Sequence, residues 1–250
     1  LCYSFNWGFY WVYGFTVRLY YDPESPLEAR VVSPAEGAEI GDHPRLAVEA
    51  RHPSDPITRV EFIGHYEDFN WEGDGLFRQW HYITERGNLR RHIGTATAPP
   101  YAVTWDTTWV PDQDRPVRIA ARVSTAGGYI YMTPAVTVRF RRQGRSVKMY
   151  RASEVPEAFG VRVGRRKECR IALDGPLENA RAARLVLSTW SAAHGDEIGI
   201  NGFKLAGPIG LVHNYSFDAL PVPVRRLKRD NTVHIFSETT HHALEVNWPG

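Results

Sequence analysis

Residues 65–82 read H-Y-E-D-F-N-W-E-G-D-G-L-F-R-Q-W-H-Y, and the segments flanking the acidic centre alternate apolar with polar residues. R-V-E-F-I-G-H-Y (59–66) and L-F-R-Q-W-H-Y (76–82) both carry a period of two. That period marks a half-buried strand, because successive side chains leave a pleated backbone on opposite faces. Glu67, Asp68, Glu72 and Asp74 fall between them, interleaved with Phe69 and Trp71 and closed by Gly73 and Gly75. The pattern predicts two strands joined by a long oxygen-rich loop.

Working outward, the same period recurs. Upstream are V-V-S-P-A-E-G-A-E-I (31–40), R-L-A-V-E-A-R (45–51) and I-T-R-V-E-F-I-G (57–64). Downstream, strands are expected at 76–84, near 91–95, and at 101–107, 117–124 and 135–140, with turn residues between them. Many short strands separated by regular turn signals predict a β-sandwich over 29–140. Residues 1–28 carry dense aromatics, then F-T-V-R-L-Y-Y, and end at Asp22-Pro23 and Ser25-Pro26. They read as a strand pair too small to bury its aromatics alone, expected to dock on the C-terminal sandwich.

Within 29–140, Val32-Ser33-Pro34 with Gly37, I-T-R-V-E-F (57–62), Pro100-Tyr101 with Thr104-Trp105, and I-A-A-R-V (119–123) ahead of Gly127-Gly128 carry a resemblance. The segment resembles the bacterial immunoglobulin-like domains of secreted multidomain proteins, which sit beside catalytic or sugar-binding modules. Those domains pass from the V-E-F strand into a brief turn, whereas this chain inserts the acidic, aromatic loop. Function concentrates on loops held by a rigid scaffold, so the insertion is the first candidate site.

R-R-Q-G-R-S (141–146) reads as a linker, and 147–250 as a second β unit. Its strands are expected in G-V-R-V-G, C-R-I-A-L-D, A-R-L-V-L-S-T-W, D-E-I-G-I, F-K-L-A, N-T-V-H-I-F-S and L-E-V-N-W. Asn201-Gly202 between two of them is a strong hairpin signal. This hairpin, with Leu227-Lys228 and Asn231 before a late strand, resembles the galactose-binding-like jelly rolls attached to carbohydrate-active enzymes, over about 155–248. The fold class expected is therefore all-β, an immunoglobulin-like sandwich followed by a jelly roll.

Composition narrows the function. No apolar run approaches the roughly 20 residues of a membrane-spanning helix. The apolar start is aromatic and lacks a basic leader, so it does not read as a signal peptide, and the chain reads as a piece of a longer protein. The net charge is only +2. The basic clusters at 139–145, 162–170 and 225–229 either steer anionic partners or are solvated strand ends. Nucleic acid is not expected as a partner. Cys2 and Cys169 are the two cysteines. Paired, they would tie residues 1–28 to the second unit; the other reading is two separate buried thiols.

Three constellations carry candidate chemistry. Asp68, Asn70, Glu72 and Asp74 place oxygens at alternate positions with Gly73 sixth, the first half of an EF-hand-type loop, and imply a structural Ca²⁺. Gln79 stands where the bidentate Glu would be, and the competing reading is a solvated acidic turn. Trp71, Trp80 and Tyr82 are candidate sugar-stacking rings, Trp71 the most exposed of them, while Trp105 reads as core. His213, Tyr215, His241 and His242 are the candidates on the second unit, and with His194 and Glu245 the histidines form a candidate transition-metal set. There is no G-x-S-x-G and no glycine-rich phosphate loop, so no catalytic residue is assigned.

The resulting expectation is a secreted, non-catalytic, carbohydrate-binding accessory module with a calcium loop, part of a polysaccharide-acting or cell-surface protein. The alternatives are an assembly subunit of an extracellular complex, and a polysaccharide-degrading enzyme with its site between the domains.

Overall fold

The computed structural model describes residue 17 and residues 27–69, 75–207, 209–240 and 243–246. Among these the chain is all β, with three short 3₁₀ turns and no α-helix. Among the described residues no helix is long and apolar enough to cross a membrane. Contacts divide the chain into two units. Of the described residues, one unit holds those up to 66 with 80–109 and 113–145; the other holds those within 67–79, 110–112 and from 146 onward. The strand pair expected within 1–28 lies, but for Val17, Leu27 and Glu28, outside the described residues.

The first unit contains β1 (Glu28–Ser33), β2 (Glu39–Ile40), β3 (Arg45–Arg51), β4 (Ile57–Glu67), β5 (Arg78–Trp80), β6 (Ile83–Glu85), β7 (Asn88–Arg90), β8 (Gly94–Ala96), β9 (Tyr101–Thr104), β10 (Val117–Thr125), β11 (Ile130–Met132) and β12 (Val136–Phe140), except that Glu67 of β4 and Arg78 and Gln79 of β5 group with the second unit. One sheet runs β1-β3-β9 and the other β2-β12-β10-β4-β5, with β11 on β10 and β8 on β4. Val60 lies opposite Val123 and Phe62 opposite Ala121, so the alternation of β4 and β10 sends one set of side chains into the core. These four are essentially inaccessible to solvent. Burying each of the larger ones contributes about 1.5–3 kcal/mol.

The opposite face of β4 and β10 is covered as well. The single strand expected over 76–84 is broken after Trp80, and the chain reverses at Arg86-Gly87 into the β6–β7 hairpin. Leu89 from that hairpin packs on Ile63 and Ala120, with Trp80 beside them. Glu61, only 2% exposed, is thereby sealed in; it meets Arg122 at 2.7 Å and Arg59 at 3.5 Å. Both arginines also reach the hairpin, Arg59 donating to Asn88 Oδ1 and Arg122 to the Gly87 carbonyl. A covered outer face is thus built as an ion cluster, its charges satisfied on several sides.

The second unit contains β13 (Gly160–Val161), β14 (Arg165–Ala172), β15 (Ala183–Trp190), β16 (Glu197–Ile200), β17 (Phe203–Lys204), β18 (Tyr215–Val222), β19 (Asp230–Ser237) and β20 (Leu244–Val246). Two four-stranded antiparallel sheets, β13-β20-β15-β18 and β14-β19-β16-β17, enclose a core that includes Leu187, Leu220, Ile198, Ile235 and Leu244. Eight strands in two sheets is the complement of a jelly roll. Asn201-Gly202 turns the chain between β16 and β17 with φ of 52° and 76°, as the type I′ hairpin requires. Asn231 is buried; its side chain bonds Lys228 on both sides and the Ile171 carbonyl, closing the turn into β19. Strand β18 was not anticipated. Pro221 lies within it, and the sheet order places β18 at an edge, where proline removes no ladder bond that is needed.

The described ends of the acidic loop group with the second unit. Asp68 N bonds the Phe77 carbonyl at 2.9 Å, Phe69 stands edge-on to Phe217 at 5.4 Å, and Arg151 pairs with Glu67 at 2.7 Å while lying over the Phe77 ring. Cys169 is a free thiol in the second unit's core, pushed up to about 11 by burial with a smaller contribution from Glu168. The pairing expected for it involves Cys2, which lies outside the described residues.

Candidate ligand-binding site on the second unit

Register builds this site. Glu245 lies opposite both Gly160 and Trp190, and Trp190 lies opposite Tyr215. Directly paired residues share a face, so Gly160, Glu245, Trp190 and Tyr215 form one row across all four strands. The core takes the alternate positions, Leu185 and Leu187 on β15 and Leu244 on β20; the row therefore faces outward. Tyr215 is 41% exposed, as is the neighbouring loop at Leu211 (51%) and Val212 (57%). Burial raises the Glu245 carboxyl above its ordinary range.

Two loops flank the row. After Trp190, Ser191 takes a left-handed backbone at φ 56° and the chain makes a single 3₁₀ turn, Ala192–His194. Before Tyr215, His213 is also left-handed at φ 49°. Such values are uncommon outside glycine, cost free energy, and gather at functional sites. The loops are stapled together: Ser191 N bonds the Asn214 carbonyl at 3.0 Å, and His213 N donates to Ser191 Oγ at 3.2 Å. Gly210 packs so closely that a Cβ there would fall 2.2 Å from Ala192 Cβ. From within the sandwich, Asp218 accepts bonds from Gly210 N at 3.1 Å and from the Ser216 hydroxyl at 2.9 Å.

This frame aligns rings. His213 is stacked on Trp190 at 6.5 Å and 21°, and on His194 at 5.2 Å and 28°. The result is an aromatic ladder beside Tyr215, with one carboxylate in the same row.

Of the candidates read from sequence, His194, His213, Tyr215 and Glu245 come together here. Trp80 and Tyr82 belong to the first unit. Trp80 packs against the Ile63, Leu89 and Ala120 cluster, with His65 edge-on and Arg118 over its ring; Tyr82 is 37% exposed. Asp68 is enclosed at the loop's base, accepts from Phe69 N at 2.7 Å, and has its carboxyl raised to about 6 by burial. Asn70, Trp71, Glu72, Asp74, His241 and His242 lie outside the described residues. No group of three or more His, Cys, Asp or Glu side chains poised to hold a metal occurs among the described residues. Trp190, Ser191 and Gly210 were not singled out in the sequence. The one available signal was the aromatic at the end of a long apolar strand.

No family model matches the chain, and no curated protein matches it. Among solved structures it is similar to the fibronectin(III)-like modules of Clostridium thermocellum CbhA, at 16% identity and a TM-score of 0.30, over 46% of this chain and 96% of that one. It is also similar to BuGH86, solved in complex with neoagarooctaose, at 14% identity and a TM-score of 0.28, over 90% of this chain and 33% of that one. The chain thus spans about a third of BuGH86's length. Likenesses at this level define no family for it.

Proposed function

We propose that the chain is a non-catalytic carbohydrate-binding accessory module of a secreted polysaccharide-acting or cell-surface protein, and that its ligand lies on the Glu245–Trp190–Tyr215 row. The supporting observation is that row itself, with His213 stacked on Trp190 and exposed apolar residues at the loop tip. A flat ring suits the C–H face of a pyranose, and neighbouring carboxylate, imidazole and amide groups suit its hydroxyls. Rings held by a stapled frame lose little freedom on binding, which favours affinity. The row offers one carboxylate, whereas glycoside hydrolysis ordinarily uses a pair, so the reading is binding without cleavage. A structural Ca²⁺ in the 68–74 loop belongs to the same proposal; the loop's enclosed Asp68 is a carboxylate that a cation would favour in its charged form.

Affinity electrophoresis through neutral and acidic polysaccharides, run beside a reducing-sugar assay, tests the reading. Retardation without release of reducing ends is expected. Release of sugar ends would overturn the non-catalytic assignment, and retardation by none of the glycans would overturn binding.

A further inference from the structure

A groove of about 640 Å³ opens beside β13, lined by residues 158–163 and by Arg165, Lys167, Ala243, Glu245 and Val246. It shares Gly160 and Glu245 with the aromatic row. At Gly160 the absent side chain leaves room for Glu245, whose Cγ lies 3.1 Å from where a Cβ would sit.

The cations of this groove are disposed differently from their neighbours on the same strand. Cys169 and Ile171 on β14 face the core, and Arg165 and Lys167 fall at the same alternation, toward the open end of the sandwich. The outward-facing cations of β14 are neutralised, Arg166 by Glu168 at 2.9 Å and Arg170 by Glu154 at 2.9 Å. Among the described residues, Arg162 and Arg165 have no carboxylate partner, and Lys167 Nζ donates to the Ala158 carbonyl. Arg162 and Arg165 flank a tight turn, Val163 at φ 55° and Gly164 at φ 68°, closed by Arg165 N to the Arg162 carbonyl at 3.3 Å. A β-branched residue in the left-handed region is a costly way to turn a chain. The lining of this concave site thus holds three cations and one carboxylate, Glu245, while the Glu238 carboxylate lies against Gly164 of the turn, 3.3 Å from where a Cβ would sit.

We propose that this groove receives the anionic group, carboxylate or sulfate ester, of an acidic polysaccharide whose sugar rings lie on the adjoining Trp190–Tyr215 row; the proposal rests on the glycan-binding reading above. Paired guanidinium groups suit both anions, because their planar donors match two acceptor oxygens at once. The competing role for inward cations at a sheet edge is protection against edge-to-edge pairing, and that role gives no preference among glycans.

The test titrates the full chain with two matched pairs of probes: a polyuronate with its carboxyl-reduced form, and a sulfated galactan with its desulfated form. The Arg162→Gln/Arg165→Gln variant changes two exposed side chains and is titrated in parallel. The expected result is a preference for at least one charged form over its neutral partner on the order of tenfold or more, weakened by salt and lost in the variant. Which pair shows the preference separates carboxylate from sulfate. Equal affinity for charged and neutral forms, unchanged in the variant, overturns the groove's role and leaves the aromatic row standing. Binding of none of the four overturns both.

Discussion

The backbone N–H of His213 donates to the hydroxyl of Ser191 at 3.2 Å, joining two non-glycine residues that both hold left-handed backbones. The two lie on separate loops, one leaving β15 and the other entering β18. Their bond keeps the His213 ring parallel to Trp190, and Gly210 against Ala192 keeps the loops in register.

Gly210→Ala is therefore expected to damage the site directly. The new methyl meets Ala192 at overlapping distance, and φ at this position is 66°. Overpacking of this kind typically costs about 1–3 kcal/mol. Urea melts should show that loss together with weaker glycan retention. Wild-type stability and retention in the variant would mean the two loops are not locked together.

The buried ion cluster of the first unit gives a second expectation. Glu61→Ala leaves Arg122, whose side chain is 14% exposed, without its carboxylate. Removing one partner of a buried pair costs about 3–5 kcal/mol. The double change Glu61→Ala/Arg122→Ala should cost less than the sum of the single changes, the signature of coupling in a double-mutant cycle. Additive losses would assign the two residues independent roles.

Acid should weaken the first unit through His81. Burial lowers its pKa below 6.5, outweighing the bond from Nε2 to the Tyr66 carbonyl, and the nearby His65 acts in the same direction as burial. Here the folded state holds the imidazole neutral and the unfolded chain binds the proton more readily. Its contribution to stability is thus complete above the unfolded value of about 6.5 and is lost as pH falls below it. Denaturant midpoints measured from pH 8 to pH 5 should decline, and His81→Gln should flatten the decline. An unchanged slope in that variant would assign the acid sensitivity to other groups.

Calcium should raise thermal stability. Binding to the native state alone contributes about 2.7 kcal/mol at a hundredfold excess over the dissociation constant, a shift of several degrees in a chain of this size. Asp68→Asn should reduce that shift. Superimposable melts in calcium and in chelator would remove the ion from the 68–74 loop.

Much of the fold was legible because the long strands obey a simple rule. In β4, β10, β15 and β19 the period of two coincides with β-branched and aromatic side chains, and Asn201-Gly202 announces its own turn. The β6–β7 hairpin was not legible. Its strands are three residues long, its turn is Arg86-Gly87, and the alternation through Trp80 and Tyr82 continues the strand before it. Strand β18 was concealed by Pro221 and by Asp218 at a core-facing position, where it serves the loops instead of the apolar core. At the candidate site, His213 and Tyr215 were recognised by residue type alone. Trp190, 23 and 25 residues upstream of them, meets them through strand register and two left-handed residues, and no local pattern encodes that meeting. The cations at Arg162 and Arg165 looked like a solvated strand end, since only the alternation of β14 against its core distinguishes inward from outward charges.

One titration bears most directly on where the ligand sits. Tyr215 and Tyr82 are comparably exposed, at 41% and 37%, and belong to different units. Dissociation constants for the best-retained polysaccharide should be measured for the wild type, Tyr215→Ala and Tyr82→Ala. Wild-type affinity in the micromolar to millimolar range is expected, roughly −8 to −4 kcal/mol. Tyr215→Ala should weaken binding on the order of tenfold, the loss of about 1.4 kcal/mol, while Tyr82→Ala leaves it unchanged. The opposite pattern, with Tyr82→Ala weakening binding and Tyr215→Ala silent, would contradict a site on the second unit.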